Sequence, residues 1–192
     1  MKTINVIAAV DETFGVGKDG KIPWHHPEDF KFFKRMTDGH VVIMGWNTYV
    51  DLLTYSKTGD GTVLPGRECI VVTSQLLPHE RVDGDGNRGI TLECKQQLPI
   101  HRAATISDAL NIARNMGGDV FFIGGERIFE AGLNMADCVY LTVVPGNHNC
   151  DRFFPAEKLR NNFQIYNKRE GENGLEFRTY VHNIWGPLNP PY

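Results

Sequence analysis

At 192 residues and 21.6 kDa, with 41% apolar and 22% charged residues, the chain has the length and composition of one globular domain with its own core. Twenty Lys and Arg against 23 Asp and Glu leave a formal charge of −3, which excludes a chain-wide basic field for nucleic acid or anionic membrane. No apolar run approaches the ~18 residues of a membrane span, residues 1–6 lead into a strand with no signal-peptide pattern, and Cys69, Cys94, Cys138 and Cys150 show no C-x-x-C spacing; the expectation is a cytoplasmic protein with reduced thiols.

In chain order, strand-like and helix-like runs alternate, the pattern of a layered α/β domain with much parallel sheet. Residues 4–10 (INVIAAV) form a near-continuous apolar run, as in a strand covered on both faces. Residues 27–36 predict a helix, with Pro27 in the first turn, Glu28 and Asp29 beside it, and Lys34 and Arg35 at its end. Residues 40–44 and 68–73 predict two more buried strands. Thr105-Ile106-Ser107-Asp108 has the pattern of a capping box and opens a helix through Met116, closed by Gly117-Gly118. A strand at 120–123 breaks at Gly124-Gly125 before a short helix at 126–133, and 138–144 is another strand. Residues 163–169 and 175–181 predict a hairpin turning on Asn173-Gly174.

Polar, glycine-containing stretches near 54–63 and 76–102 read as surface insertions, the longer one with a strand of its own at 89–94 (GITLEC). The domain is thus expected over 1–182, with 183–192 as a Pro-rich, extended tail. There is no internal repeat.

Gly15-Val16-Gly17-Lys18-Asp19-Gly20 matches G-x-G-x-x-G after a strand, but Lys21-Ile22-Pro23-Trp24 cannot begin the helix that a dinucleotide fingerprint must open. It reads instead as a flexible glycine loop suited to a lid. Gly124-Gly125 is better placed: a strand ends, two residues lack Cβ, and a helix begins, so free amides can meet a phosphate and a ligand can approach the backbone. A plain strand-to-helix turn explains the same residues. Asp29 carries the most information. On a helical wheel it lies within about 60° of Phe33 and Met36, with Phe30 at its flank. A first-turn acid favoured by the helix dipole is the ordinary explanation, and Glu28 satisfies it. A carboxylate among Phe30, Phe33 and Met36 would lose solvation unless a cationic or donor-rich ligand met it, which suits a protonatable heterocycle.

Several motifs in sequence order resemble dihydrofolate reductase over roughly 4–181: Ile7-Ala8-Ala9-Val10; Gly15-Val16-Gly17 with Gly20-Lys21-Ile22-Pro23-Trp24; Pro27-Glu28-Asp29-Phe30 with Phe33-Lys34; Val42-Ile43-Met44-Gly45 with Thr48-Tyr49; Leu64-Pro65-Gly66-Arg67; Val72-Thr73-Ser74; Ile123-Gly124-Gly125 with Arg127-Ile128-Phe129; Tyr140-Leu141-Thr142; and Asp151 with Phe153-Phe154-Pro155. The resemblance implies a twisted, mostly parallel eight-stranded sheet with helices on both faces, and NADPH-dependent reduction of 7,8-dihydrofolate to tetrahydrofolate. It implies that Asp29 holds the 2-amino group and N3 of the pterin, that Trp24 helps order water, and that Thr142 orients Asp29. Ile7, Ala8, Phe30, Phe33, Leu52, Leu64, Ile123 and Phe129 would surround the substrate, and Arg67 would grip the α-carboxylate of its glutamate tail. For the cofactor it implies Ala9, Gly15, Val16, Gly17, Gly20, Gly45, Trp46, Asn47, Thr48, Thr73, Ser74, Gly124, Gly125, Glu126, Arg127, Ile128 and Phe129, with a cis bond at Gly124-Gly125. The partners expected are dihydrofolate and antifolate-like small molecules, with no metal, nucleic acid or membrane; a monomer is expected, with oligomers left open.

The chain departs from the pattern in places. Trp46-Asn47 stand where the family usually carries basic residues for the 2′-phosphate, so a weaker preference for NADPH over NADH is expected. His25-His26 follow Trp24 and read as lid or solvent contacts rather than a metal pair. Arg152 replaces a smaller residue after Asp151. Two alternatives remain: a pyrimidine reductase of riboflavin synthesis, for which the combination of Trp24, Asp29 and Arg67 is ill suited, and a non-catalytic nucleotide-binding protein on the same scaffold.

Overall fold

The structure, a computed structural model, describes residues 2–56, 62–77 and 100–185. Among the described residues, ten strands and five helices follow one another: β1 (Ile4–Asp11), β2 (Gly15–Gly17), α1 (Pro27–Thr37), β3 (Val41–Gly45), α2 (Trp46–Leu53), β4 (Glu68–Val72), β5 (Ile100–Ala103), α3 (Ile106–Arg114), β6 (Val120–Gly124), α4 (Glu126–Leu133), β7 (Cys138–Val144), β8 (Arg152–Phe153), α5 (Ala156–Asn162), β9 (Phe163–Glu170) and β10 (Glu176–His182). Eight strands form one sheet in the order β5-β4-β3-β6-β1-β7-β10-β9. The first six are parallel to one another; β10 runs antiparallel to β7 and pairs with the edge strand β9. This is the expected architecture.

Helices cover both faces, as the two-sided burial of the central strands requires. On one face, Ala109, Ala113, Ile128, Phe129, Leu133 and Leu159, from α3, α4 and α5, pack with Val6, Val10, Ile43 and Phe122. On the other, Phe32, Phe33 and Met36 of α1 and Tyr49, Leu52 and Leu53 of α2 pack with Ile7, Val42, Met44 and Phe121. α4 lies so close to the sheet that a Cβ on Gly132 would sit 2.8 Å from Val6 Cγ2 and 2.9 Å from Phe122 Cβ. The capping box forms as expected: Thr105 accepts from Asp108 N at 3.1 Å, and Asp108 accepts from Thr105 N at 3.1 Å.

Several expectations need correction. The glycine loop is not free at its base, because Gly15–Gly17 pairs with Arg152–Phe153 as a two-stranded ribbon. Its tip is a tight reversal: Lys18 and Lys21 exchange backbone hydrogen bonds of 2.9 Å around Asp19 (φ 50°) and Gly20 (φ 78°), as a type I′ turn requires. Both ends of the insertion expected at 76–102 belong to the domain, since Leu77 is fully buried and Ile100–Ala103 is a sheet strand. The strand expected at 89–94 lies outside the described residues. So do residues 57–61 of the other insertion and 186–192 of the tail; Asn183–Trp185 forms a 3-10 turn.

Candidate active site

Parallel strands in an open α/β sheet place their carboxyl ends on one rim, where ligands bind. Here β3 and β6 both end in glycine, and each leads at once into an eight-residue helix, α2 or α4. The two N-caps, Gly45 and Gly125, contribute no side-chain hydrogen bond, so the first amides of both helices are left for another acceptor. The turns touch: a Cβ on Gly45 would lie 3.6 Å from Gly125 N and 3.8 Å from Gly124 O. Gly124 has φ +127°, and its Cβ would meet Phe129 Cζ at 3.2 Å and Thr48 Oγ1 at 3.3 Å. By contrast, a Cβ on Gly125 would meet only Thr48 Oγ1, at 3.8 Å. Two uncapped helix N-termini converging on side-chain-free backbone make a cradle whose chemistry fits a diphosphate. The Gly124-Gly125 peptide is cis.

Asp29 sits in the first turn of α1 and is 8% exposed. Its helix turns Phe33 and Met36 into the same apolar cluster as Ile7, Leu52, Leu64 and Ile123. Burial pushes the Asp29 carboxyl above its ordinary value, opposed by a hydrogen bond from the Thr142 side chain and by the charge of His26. Thr142 is 1% exposed and paired with Ala9 of β1 on one side and Phe177 of β10 on the other. The neighbouring acid, Glu28, faces away and accepts from Glu172 N at 2.6 Å and Arg169 Nη1 at 3.2 Å. That contact fastens the start of α1 to the β9–β10 hairpin. Trp24, 8% exposed, packs edge-on against the His148 ring at 5.1 Å, and its buried Nε1 has no hydrogen-bond partner among the described residues.

Arg67 ends a turn in which Arg67 N donates to Leu64 O at 3.3 Å. Pro65 and Gly66 (φ +81°) occupy its central positions, the residues a type II turn favours. The side chain is 6% exposed, its Nη1 lies 3.5 Å from Asp38 Oδ1, and among the described residues Nε and Nη1 have no hydrogen-bond partner. Burial pulls its pKa down, and the charge of Asp38 pushes back. A buried cation so incompletely matched can accept an anionic group. It borders an open depression with Gly39, Gly66, Glu68 and Gly117.

Not all the expected residues converge. Ile7, Phe33, Leu52, Leu64 and Ile123 share one cluster, but Ala8 packs with the opposite face, so only its backbone can reach the cleft. Phe30 is 41% exposed on the rim, its ring 5.0 Å from His25. Phe129 is 4% exposed, packs on Phe154 at 5.1 Å and backs the glycine turn from the core side. Gly15 is packed inside the protein, where its Cβ would fall 2.4 Å from Cys150 Cβ; its missing side chain serves that contact. Thr73 Oγ1 accepts from Gln75 N at 3.0 Å. Among the described residues there is no group of three or more His, Cys, Asp or Glu able to hold a metal. Sequence reasoning missed Asp11 and His148; the only local signal was an Asp two residues before Thr13, the spacing of an Asx turn.

Fold and site together define a single-domain α/β protein that sets an anion cradle beside an apolar cleft containing a buried carboxylate. Residues 3–183 match the family described as dihydrofolate reductase. Over 151 residues the chain is 32% identical to dihydrofolate reductase type 9 of Escherichia coli, covering 79% of this chain and 75% of that protein. It is 30% identical to the dihydrofolate reductase of Haemophilus influenzae over 182 residues, covering 93% and 97%. Its fold is shared with an Enterococcus faecalis dihydrofolate reductase complexed with NADP(H) and RAB-propyl, with a TM-score of 0.73, 24% identity and coverage of 94% and 96%. The chain belongs to the dihydrofolate reductase family.

Proposed function

We infer that this protein reduces 7,8-dihydrofolate to 5,6,7,8-tetrahydrofolate with NADPH, in support of one-carbon and thymidylate metabolism. The observation that carries the reading is Asp29: a carboxylate buried among apolar side chains with a single threonine to orient it. Its charge has no full counterpart among the described residues, so a ring offering a 2-amino group and an N3–H as two adjacent donors is the complement it lacks. When bound, NADPH supplies the hydride for C6.

The protein's own residues bind, orient and dry the site. Asp29 takes the 2-amino group and N3 of the pterin, and its negative charge favours the protonated ring. It lies across the ring from N5, so the proton reaches N5 from water, and the buried Nε1 of Trp24 is a donor suited to ordering that water. Thr142 holds the Asp29 carboxylate in one orientation. Ile7, Phe33, Leu52, Leu64 and Ile123 supply the apolar walls, and Arg67 takes the α-carboxylate of the glutamate tail. Gly45, Gly124, Gly125 and the first amides of α2 and α4 fit the cofactor diphosphate, with Trp46, Asn47, Thr73 and Ser74 toward its adenosine end. The lid from Gly15 to Trp24 closes over the nicotinamide side. Antifolate-like small molecules are expected to compete with dihydrofolate for the same carboxylate.

Loss of NADPH absorbance on adding dihydrofolate tests this directly. The wild type is expected to turn over, and Asp29→Asn to lose about 10²–10⁴-fold at neutral pH, with partial recovery at low pH where the substrate arrives protonated. Equal turnover by the two proteins removes Asp29 from this role.

A further inference from the structure

Asp11 closes β1, is 1% exposed and takes no part in the chemistry above. Its two oxygens serve different loops. Oδ1 accepts from Thr13 N at 2.8 Å, Thr13 Oγ1 at 2.7 Å and Gly15 N at 2.8 Å, at the base of the lid. Oδ2 accepts from His148 N at 3.0 Å and faces the Cys150 thiol at 3.7 Å, in the loop after β7. Burial pushes the carboxyl up, but the hydrogen bonds from His148, Thr13 and Gly15 outweigh it and hold its pKa below the ordinary value.

Both loops lead to Trp24. The lid runs from Gly15 to Trp24 along the chain, and the His148 ring meets the Trp24 ring edge-on at 5.1 Å while its Nε2 lies 3.1 Å from Pro145 O. The loops are also in mutual contact, through Asp151 N donating to Gly17 O at 3.0 Å and Phe154 N donating to Phe14 O at 2.8 Å. We propose that Asp11 is a positioning residue for Trp24. By dividing one carboxylate between the lid base and the 145–151 loop, it fixes the two segments relative to each other, and His148 transmits that placement to the indole over the cleft. The proposal deepens the reductase reading and rests on it for its kinetic consequence.

Asparagine separates this from simple loop support. Asp11→Asn keeps one acceptor oxygen. If that oxygen stays on Thr13 and Gly15, its NH₂ group faces the His148 N–H, donor against donor. The variant thus retains the lid arm and loses the His148 arm. Asp11→Asn, through the loss of one charge-assisted hydrogen bond, and His148→Ala, through the loss of the ring contact with Trp24, are each expected to slow single-turnover hydride transfer about tenfold, with NADPH affinity within about twofold of wild type. The double variant is expected to be no slower than the worse single one, since both break the same path. His148→Phe keeps the ring edge on Trp24 and is expected to restore the rate to within about threefold of wild type. Multiplying effects in the double variant, or a His148→Phe as slow as His148→Ala, overturns the proposal.

Backbone hydrogen exchange of residues 16–24 reads the same contact without turnover. His148→Ala is expected to speed it about fivefold or more, and unchanged exchange also overturns the proposal. A wild type that exchanges slowly but fails to consume dihydrofolate refutes the reductase reading and leaves the positioning role standing on the exchange result.

Discussion

Replacing Thr142 with valine changes a hydroxyl for a methyl of the same shape at a site 1% exposed, so no cavity opens. What disappears is the hydrogen bond to the Asp29 carboxylate, one of the two influences that oppose its burial; the charge of His26 is the other. A hydrogen bond to a charged group contributes about 1.5–3 kcal/mol. If the transition state feels the whole loss, kcat/KM at neutral pH falls about 10- to 150-fold. The ionised carboxylate is destabilised in the folded state alone, so Tm falls about 3–12 °C for a chain of this size. The sign of the pH dependence follows from the raised pKa of Asp29, which the substitution raises further. At low pH the group is protonated whether the chain is folded or not, and the two proteins are equally stable; the deficit of the variant grows as pH rises through the folded pKa of the wild type and is complete above that of the variant. Paired melts and pH–rate profiles check this. A deficit in Tm and kcat/KM that is constant with pH shows that Thr142 acts through packing, and refutes the reasoning.

Asp29→Asn relieves a buried charge, so it is expected to raise Tm at neutral pH while turnover is lost, with the gain vanishing in melts below the ordinary carboxylate range. Gly124→Ala places a side chain at φ +127° and 3.2 Å from Phe129 Cζ; a cost of about 1–3 kcal/mol is expected as a lower Tm and weaker NADPH binding in a fluorescence titration. Burial pushes the Cys69 thiol up to about 12 and the Cys138 thiol up to about 11, and each is 1% exposed. Their peptides are expected to stay unmodified when the folded protein is alkylated at pH 8 and mapped by mass spectrometry. Trp46-Asn47 supply no positive charge for a 2′-phosphate, and a lost charged contact is worth about 1.5–3 kcal/mol. The ratio of kcat/KM for NADPH over NADH is therefore expected to stay below about a thousandfold; a larger ratio shows that another cation does this work.

The parts of the site that were legible in the sequence are those written within one element. Asp29 shared a helical face with Phe33 and Met36, and the capping box at Thr105 and Asp108 needed four residues. Gly124-Gly125 stood between an apolar strand and a helix. Contacts between distant segments left no such mark. Nothing near Gly15–Gly17 announces Arg152–Phe153 as its partner, so a loop expected to be free is a paired ribbon. α2 begins at an N-cap glycine and contains aromatic and β-branched residues, so neither capping nor propensity signals it. β5 buries Ile100 and Ala103 at its two ends with half-buried His101 and exposed Arg102 between them, four residues that show no two-residue period. Asp11 is the clearest case: its role comes from His148 and Cys150, more than 130 residues away.

The hydrogen bond that Glu172 N donates to the Glu28 carboxylate joins a late part of the chain to its first helix. During synthesis, the glycine turn at 124–125 and both helices that flank it emerge well before β9 and β10. A nascent chain can therefore assemble its anion cradle early, and Thr142 is already present to meet Asp29, yet Glu28 in the same turn has neither Glu172 N nor Arg169 until the closing hairpin leaves the ribosome. Non-local closure of this kind is slow relative to local helix formation, so the fastening of α1 to the hairpin is among the last contacts the newborn chain makes.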